Sequence, residues 1–143
     1  MGSVFGIFSR SHNIGSIIIR GVTWSPWSHN ALILEDGEGV IEAVWPQGVR
    51  QSNRTALQAR STQIDIVEIE VPNPAGAYAY ARSQIGKPYD TWGVIGLGLR
   101  REWDTPDAWW CSELFEACLI AAGRPRFNRH AQRVTPMHSY MAV

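Results

Sequence analysis

The chain has only two cysteines, Cys111 and Cys118. Seven positions apart on one predicted helix, their Cα atoms lie roughly 10 Å apart at ~1.5 Å rise per residue, too far for a mutual disulfide. No disulfide framework is therefore expected. Charge of one sign is also lacking: 13 basic and 13 acidic residues give a formal net charge of zero. That removes any broad electrostatic reason to bind nucleic acid or an acidic membrane surface. No stretch approaches the ~20 apolar residues of a membrane span. The first ten residues hold neither a basic leader nor a long apolar run, so no secretory signal is expected. Cytoplasmic action, phage-encoded release and delivery by a partner all stay open, as does the oligomeric state. Internal repeats, low-complexity tracts and linkers are missing too, so residues 1–143 are read as a single domain, long enough to bury a proper core. Finally, His12, His130 and His138 sit in no His-x-x-x-His or Cys-x-x-Cys spacing, and no metal or other cofactor is expected.

What is there centres on Trp109-Trp110-Cys111-Ser112-Glu113-Leu114-Phe115. From Cys111, apolar residues recur at Leu114, Phe115, Cys118, Leu119 and Ala122, one stripe of an α-helix over about Trp109 to Ala122. Gly123 follows, suited to the left-handed conformation that closes a helix. Cys111 thus falls in the first turn, where the backbone dipole favours thiolate over thiol. Cys118, mid-helix on the core stripe, is read as a small buried hydrophobe.

Upstream, Ser16–Arg20 reads as a short buried strand, and residues 1–15 before it as a loose lead-in with a short strand at Val4–Phe8. His29–Glu35 and Glu38–Trp45 read as two strands joined by an Asp36-Gly37 hairpin turn. With those two residues as the turn, Ala31 pairs with Glu42 and His29 with Val44. His29 and Glu42 are then diagonal neighbours on one face, about 7–8 Å apart at Cα. Residues 46–62 read as a loop with a helical turn near Thr55–Arg60. Gln63–Val71 is a strand whose apolar phase switches at Ile66-Val67, which suggests a bulge. Asn73-Pro74 caps a helix whose inward side is expected to be Ala75, Tyr78, Arg82 and Ile85, with Gly86 ending it. Thr91–Leu99 reads as a short helix or packed loop and Arg100–Ala108 as turn-prone. The basic stretch holding Arg124, Arg126, Arg129 and Arg133 is expected to be a solvated loop. Thr135-Pro136 caps a last short helix through Tyr140.

His29, Glu42 and Cys111 supply a base, an orienter and a nucleophile. An imidazole withdraws the thiol proton and later protonates the leaving group. A carboxylate fixes the ring and stabilises the imidazolium. First-turn N–H groups hold an oxyanion. These types alone occur in any chain of this size. The pattern sharpens with Gly86-Lys87-Pro88-Tyr89-Asp90, followed about twenty residues on by Trp110-Cys111-Ser112-Glu113-Leu114, which resembles the NlpC-type branch of papain-like cysteine peptidases. The order His, Glu, Cys is similar to the circularly permuted, YiiX-like members of that branch. There a strand opening with Ser-His carries the base (Ser28-His29 here), and a following strand ends in Glu-Ala (Val40-Ile41-Glu42-Ala43 here). Val134-Thr135-Pro136 resembles that group's ending. Asn30-Ala31 departs from it, standing where a small apolar residue and glycine are more usual.

The resemblance implies an α+β fold, a small antiparallel sheet or open barrel with the cysteine helix packed against it. It implies cleavage of an amide, as in cell-wall peptides, through a thioester acyl-enzyme with a Cys111-His29-Glu42 triad and no metal. It also implies that the Tyr89 hydroxyl approaches the cysteine and helps bind the substrate carbonyl. Trp27 and Trp110, with Trp24, Trp45 and Trp109, are candidate cleft walls. Two other readings remain: a thiol acyltransferase or lipid-directed hydrolase on the same scaffold, and a non-catalytic assembly module of a phage or secretion apparatus.

Overall fold

Residues 1–11, 26–91, 107–127 and 134–143 are described by the computed structural model. The expected strand at Ser16–Arg20, Trp24, and nearly all of the 91–106 region lie outside them.

Strand β1 (Gly2–Arg10) runs beside both β2 (His29–Ile33) and β5 (Gln63–Val71). With β3 (Gly39–Val44) and β4 (Gly48–Asn53) the order is β4-β3-β2-β1-β5, every neighbouring pair antiparallel. The lead-in expected over residues 1–15 is therefore a nine-residue strand, longer than the Val4–Phe8 segment read from sequence. Its glycine content reflects close packing and not looseness. A Cβ on Gly6 would stand 2.5 Å from Phe115 Cζ, so the cysteine helix can approach the sheet only where β1 has no side chain.

The β2–β3 register is the one read from sequence: Leu32 lies opposite Ile41 and Ile33 opposite Val40. The turn differs. Leu34 N–H donates to Gly39 O at 2.7 Å, and Asp36 Oδ1 accepts from the N–H groups of Glu38 and Gly39. The loop spans residues 35–38, one more at each end than expected. Because the extension is symmetric, the pairing is unchanged and His29 stays on the face of Glu42.

The expected loop at 46–62 contains β4 and a helix, α1 (Arg54–Ala59), capped by Asn53. Strand β4 escapes a periodicity reading because Gly48-Val49-Arg50-Gln51-Ser52-Asn53 has one apolar side chain of any size; it forms by pairing with β3 at a sheet edge. The bulge expected at Ile66-Val67 is also corrected. β5 pairs with β1 without interruption from Gly2–Val71 to Arg10–Gln63. The phase switch has another cause: both faces of the sheet are apolar. Val67, Ile69 and Val71 join the larger core, while Ile64 packs beside Ile7, Ala31, Ile33, Val40 and Leu57 on the other face.

The larger core lies between the sheet and two helices, α2 (Pro74–Ser83) and α3 (Cys111–Ala121). Asn73 caps α2 through its side chain with Pro74 at the first position, as expected. Its fully buried residues are Ala77 and Ala81; of the expected Ala75, Tyr78, Arg82 and Ile85, Tyr78 packs half-buried against the core and the other three are exposed. Small residues mark the contact because α2 lies close to α3: a Cβ on Gly76 would be 2.6 Å from Ala121 O. Arg82 points outward and pairs with Glu35 at 2.7 Å. Gly123, at φ 82°, closes α3. The last helix, α4 (Pro136–Met141), starts with Thr135 and His138 capping each other's backbone N–H.

The basic stretch after α3 is not all solvated. Arg126 and Glu116 are 4% and 3% exposed and pair at 2.5 Å, with Ser139 of α4 donating to the same carboxylate. The Arg126 guanidinium lies 5.7 Å from the Phe115 ring centroid. Glu116 sits on the inward side of α3, and burying it requires a cation beside it.

Candidate active site

Cys111 opens α3 at the position read from sequence, and its side chain is buried. Trp110, the residue before it, cannot cap the helix and makes no side-chain cap bond. The first-turn N–H groups thus receive no cap from the N-cap side chain. His29 opens β2, held there by Ser28, whose N–H donates to Ser9 O at 3.1 Å.

His29 Nε2 is 2.7 Å from Glu42 Oε2. That leaves Nδ1 for Cys111, whose sulfur interacts electrostatically with the His29 ring. The three residues proposed from the sequence as a group are therefore neighbours, although 82 positions separate His29 from Cys111. Burial opposes charge on His29, but the hydrogen bonds and negative charge of Cys111 and Glu42 outweigh it and raise its pKa to about 9. Burial likewise opposes the thiolate, yet the hydrogen bond and charge of His29, the Asn30 backbone N–H and the Ser112 hydroxyl bring Cys111 below the usual thiol value. The two shifts run in the direction that favours a thiolate beside an imidazolium.

Glu42 is fully buried. Burial would neutralise it, but His29 and Arg60 hold its pKa down to about 2. Arg50 reaches Oε1 at 3.2 Å, and Arg60 Nη2 bonds Oε2. Neither arginine was read from sequence. Arg50 is directly opposite Glu42 in the β3–β4 ladder, a relation visible only once β4 is recognised as a strand. Cys118, by contrast, has no polar support, and burial pushes its thiol up to about 12.

Tyr89 reaches the site through a bridge to Trp109, with Trp109 N–H donating to Pro88 O and Asp90 N–H to Trp109 O, both at 3.0 Å. Burial and the charges of Cys111 and Asp90 push its hydroxyl pKa up, which keeps it a neutral donor. On the other side of this segment, Val49 N–H donates to Lys87 O at 2.9 Å, tying it to β4. Gly48, at φ 81°, permits that approach: a Cβ there would be 2.2 Å from Lys87 O.

A pocket of about 450 Å³ opens over His29, with Arg10, Trp45, Arg50, Arg60 and Tyr89 among its walls. Trp45 is 69% exposed. Trp27 and Trp110 do not line it. Trp27 packs with Phe8 and Tyr140, ring centroids 6.4 and 5.3 Å away, and Trp110 is buried at the start of α3. They support the site from within the core. Trp109 is half-buried and donates its indole N–H to Gln84.

Asn30, which departs from the resembled pattern, lies behind the sulfur. Its side-chain oxygen accepts from the Ser112 hydroxyl at 3.5 Å, and its buried amide nitrogen has no partner among the described residues.

An antiparallel sheet with a helix packed on one face and a buried cysteine-histidine-glutamate cluster at the helix mouth define the class: an α+β protein with a YiiX-like fold. One solved structure that shows it is the metalloprotein yiiX of Escherichia coli O157:H7, described under DUF1105; it superposes with a TM-score of 0.64 at 22% identity over 87% of this chain and 68% of that one. At that identity the likeness concerns the fold. No family model and no curated protein matches the chain. The cluster here does not suit a cation. Both Glu42 oxygens are taken by guanidinium groups and imidazole. Among the described residues, no three His, Cys, Asp or Glu side chains are arranged to hold a metal ion.

Proposed function

We propose that the protein is a cysteine hydrolase that cleaves an amide bond through a thioester, with Cys111 as nucleophile, His29 as general base and acid, and Glu42 as the group that orients and charges the ring. The observation that carries this reading is the His29 ring, hydrogen-bonded to Glu42 at 2.7 Å, with Cys111 as its other electrostatic neighbour and an open pocket over it.

The Cys111 proton resides on His29. The thiolate attacks the substrate carbonyl carbon, and the electron pair moves to oxygen, held by the first-turn N–H groups of α3. Collapse re-forms the C=O and breaks the C–N bond; His29 gives its proton to the leaving amine. Water, deprotonated by His29, then attacks the thioester and frees the acid and the thiolate. Tyr89 supports the carbonyl as a neutral hydroxyl donor beside the sulfur. A thiol acyltransferase would share the first half of this cycle and differ only in the group that receives the acyl chain.

The test is a panel of amide and ester substrates with wild type and Cys111→Ala, both shown folded by circular dichroism. Turnover by wild type alone, with an acyl adduct on Cys111 in intact-mass spectra, is expected. Equal turnover by both would refute the assignment.

A further inference from the structure

We propose that the pocket over His29 contains an oxyanion subsite and that the substrate carries a carboxylate or phosphate next to the bond that is cut. This deepens the reading of Cys111 as the nucleophile and rests on it.

The inference comes from a charge imbalance in the walls. Arg10, Arg50 and Arg60 all line the pocket, and no aspartate or glutamate does among the described residues. The carboxylate that meets two of these guanidiniums, Arg50 and Arg60, is the buried Glu42, which they share with His29. Cys111 and His29 sum to zero charge whichever of the two holds the shared proton. Three guanidiniums against one carboxylate leave two positive charges in excess.

A purely structural role for Glu42 needs less. One arginine and the histidine would satisfy its two oxygens. The second arginine costs like-charge repulsion unless something else is bound there. Arg50 spends only Nε and Nη2 on Glu42, and Arg60 only Nη2. The remaining N–H groups of both forks have no protein partner among the described residues. Their side chains are 36% and 40% exposed. Arg10 makes no ion pair at all among the described residues, and its strand position is fixed by its backbone, whose carbonyl accepts from Thr62 N–H and Oγ1. Planar forks with unused donors at the rim of a concave site suit the paired oxygens of a carboxylate or phosphate. Trp45 and Tyr89 supply an apolar and aromatic wall for the rest of the molecule.

The test measures alkylation of Cys111 by neutral iodoacetamide at fixed ionic strength, in the presence of inorganic phosphate, succinate or, as the uncharged control, succinamide. Saturable protection by an anion and none by succinamide is expected. Protection by phosphate alone assigns the phosphate source, by succinate alone the carboxylate source, and by both the shared chemistry. Arg10→Gln, compared with its own unprotected rate, is expected to weaken protection by about three- to tenfold, with Arg10→Lys in between. Alkylation that stays fast near neutral pH, with neither anion protecting, overturns the subsite while the nucleophile reading survives. A Cys111 that alkylates no faster than an ordinary thiol removes that reading and the subsite with it.

Discussion

Replacing His29 with alanine tests the central pairing directly. In the wild type, the His29 hydrogen bond and charge lead the contributions that overcome burial and bring the Cys111 thiol below its ordinary value of 9.0. Without the ring, the largest contribution opposing burial is lost, and the thiol moves back up. An ordinary thiol is only a few per cent ionised near pH 7, and only the thiolate alkylates. The variant should therefore react with iodoacetamide between about tenfold and a hundredfold more slowly than wild type at that pH, and its rate should climb as pH approaches 9. The fold is expected to survive, because Glu42 keeps Arg50 and Arg60 as partners. His29→Gln, which keeps a hydrogen-bonding group but no charge, should fall between the two. The assay is the pseudo-first-order alkylation rate across pH, read by mass spectrometry at Cys111. An unchanged pH profile in His29→Ala would refute the argument that the imidazole makes the thiolate.

Other consequences follow from the same geometry. With Glu42 held at about pKa 2 against an ordinary 4.5, its stabilisation is fully present above about pH 4.5 and is lost as pH falls towards 2; urea midpoints of Glu42→Gln should show a flatter acid limb than wild type. His29 has the opposite sign: raised from 6.5 to about 9, it contributes most below pH 6.5, and that contribution fades as pH rises through 9. Glu116→Ala leaves Arg126 charged and buried, and should cost about 3–5 kcal/mol in denaturant unfolding; loss of less than 1 kcal/mol would mean that the pair opens to water. Gly48→Ala combines a strained positive φ with a Cβ 2.2 Å from Lys87 O and should cost about 1–3 kcal/mol, with slower alkylation of Cys111 if the Tyr89 segment shifts. Cys118, pushed to about 12, should remain unlabelled by iodoacetamide near neutral pH in the folded protein and label only in urea.

Some parts of this molecule could be read without coordinates because one short-range rule governs each of them. The stripe from Cys111 to Ala122 states the helix, its buried face and the thiol at its mouth. Asn73-Pro74 and Thr135-Pro136 state two helix starts. The hairpin register survived a wrong turn because a symmetric loop leaves the pairing parity intact, so His29 and Glu42 remained on one face. Other parts misled for equally specific reasons. Strand β1 reads from sequence only as a short Val4–Phe8 strand in a loose lead-in, because Gly6 exists to admit Phe115, a partner more than a hundred positions away. Strand β4 lacks an apolar pattern because it lies at the sheet edge. The phase switch in β5 mimicked a bulge because the second, smaller core on the far face could not be inferred from one strand. Of the inward face expected for α2, Ala75, Tyr78, Arg82 and Ile85, Tyr78 alone reaches the core, whereas close helix contact selects Ala77 and Ala81. Trp27 and Trp110 were candidates for the cleft, and the core took both.

The sequence by itself determined which residues could do chemistry and on which elements they stand, since helix stripes, caps and strand parity depend on neighbours a few positions apart. Only the tertiary structure decided that the β2 histidine meets the α3 cysteine, that Arg50 and Arg60 crowd the carboxylate beneath them, and that the pocket carries surplus positive charge. Those relations join residues tens of positions apart, and their energies depend on burial and on distances of a few ångströms, which local periodicity does not encode.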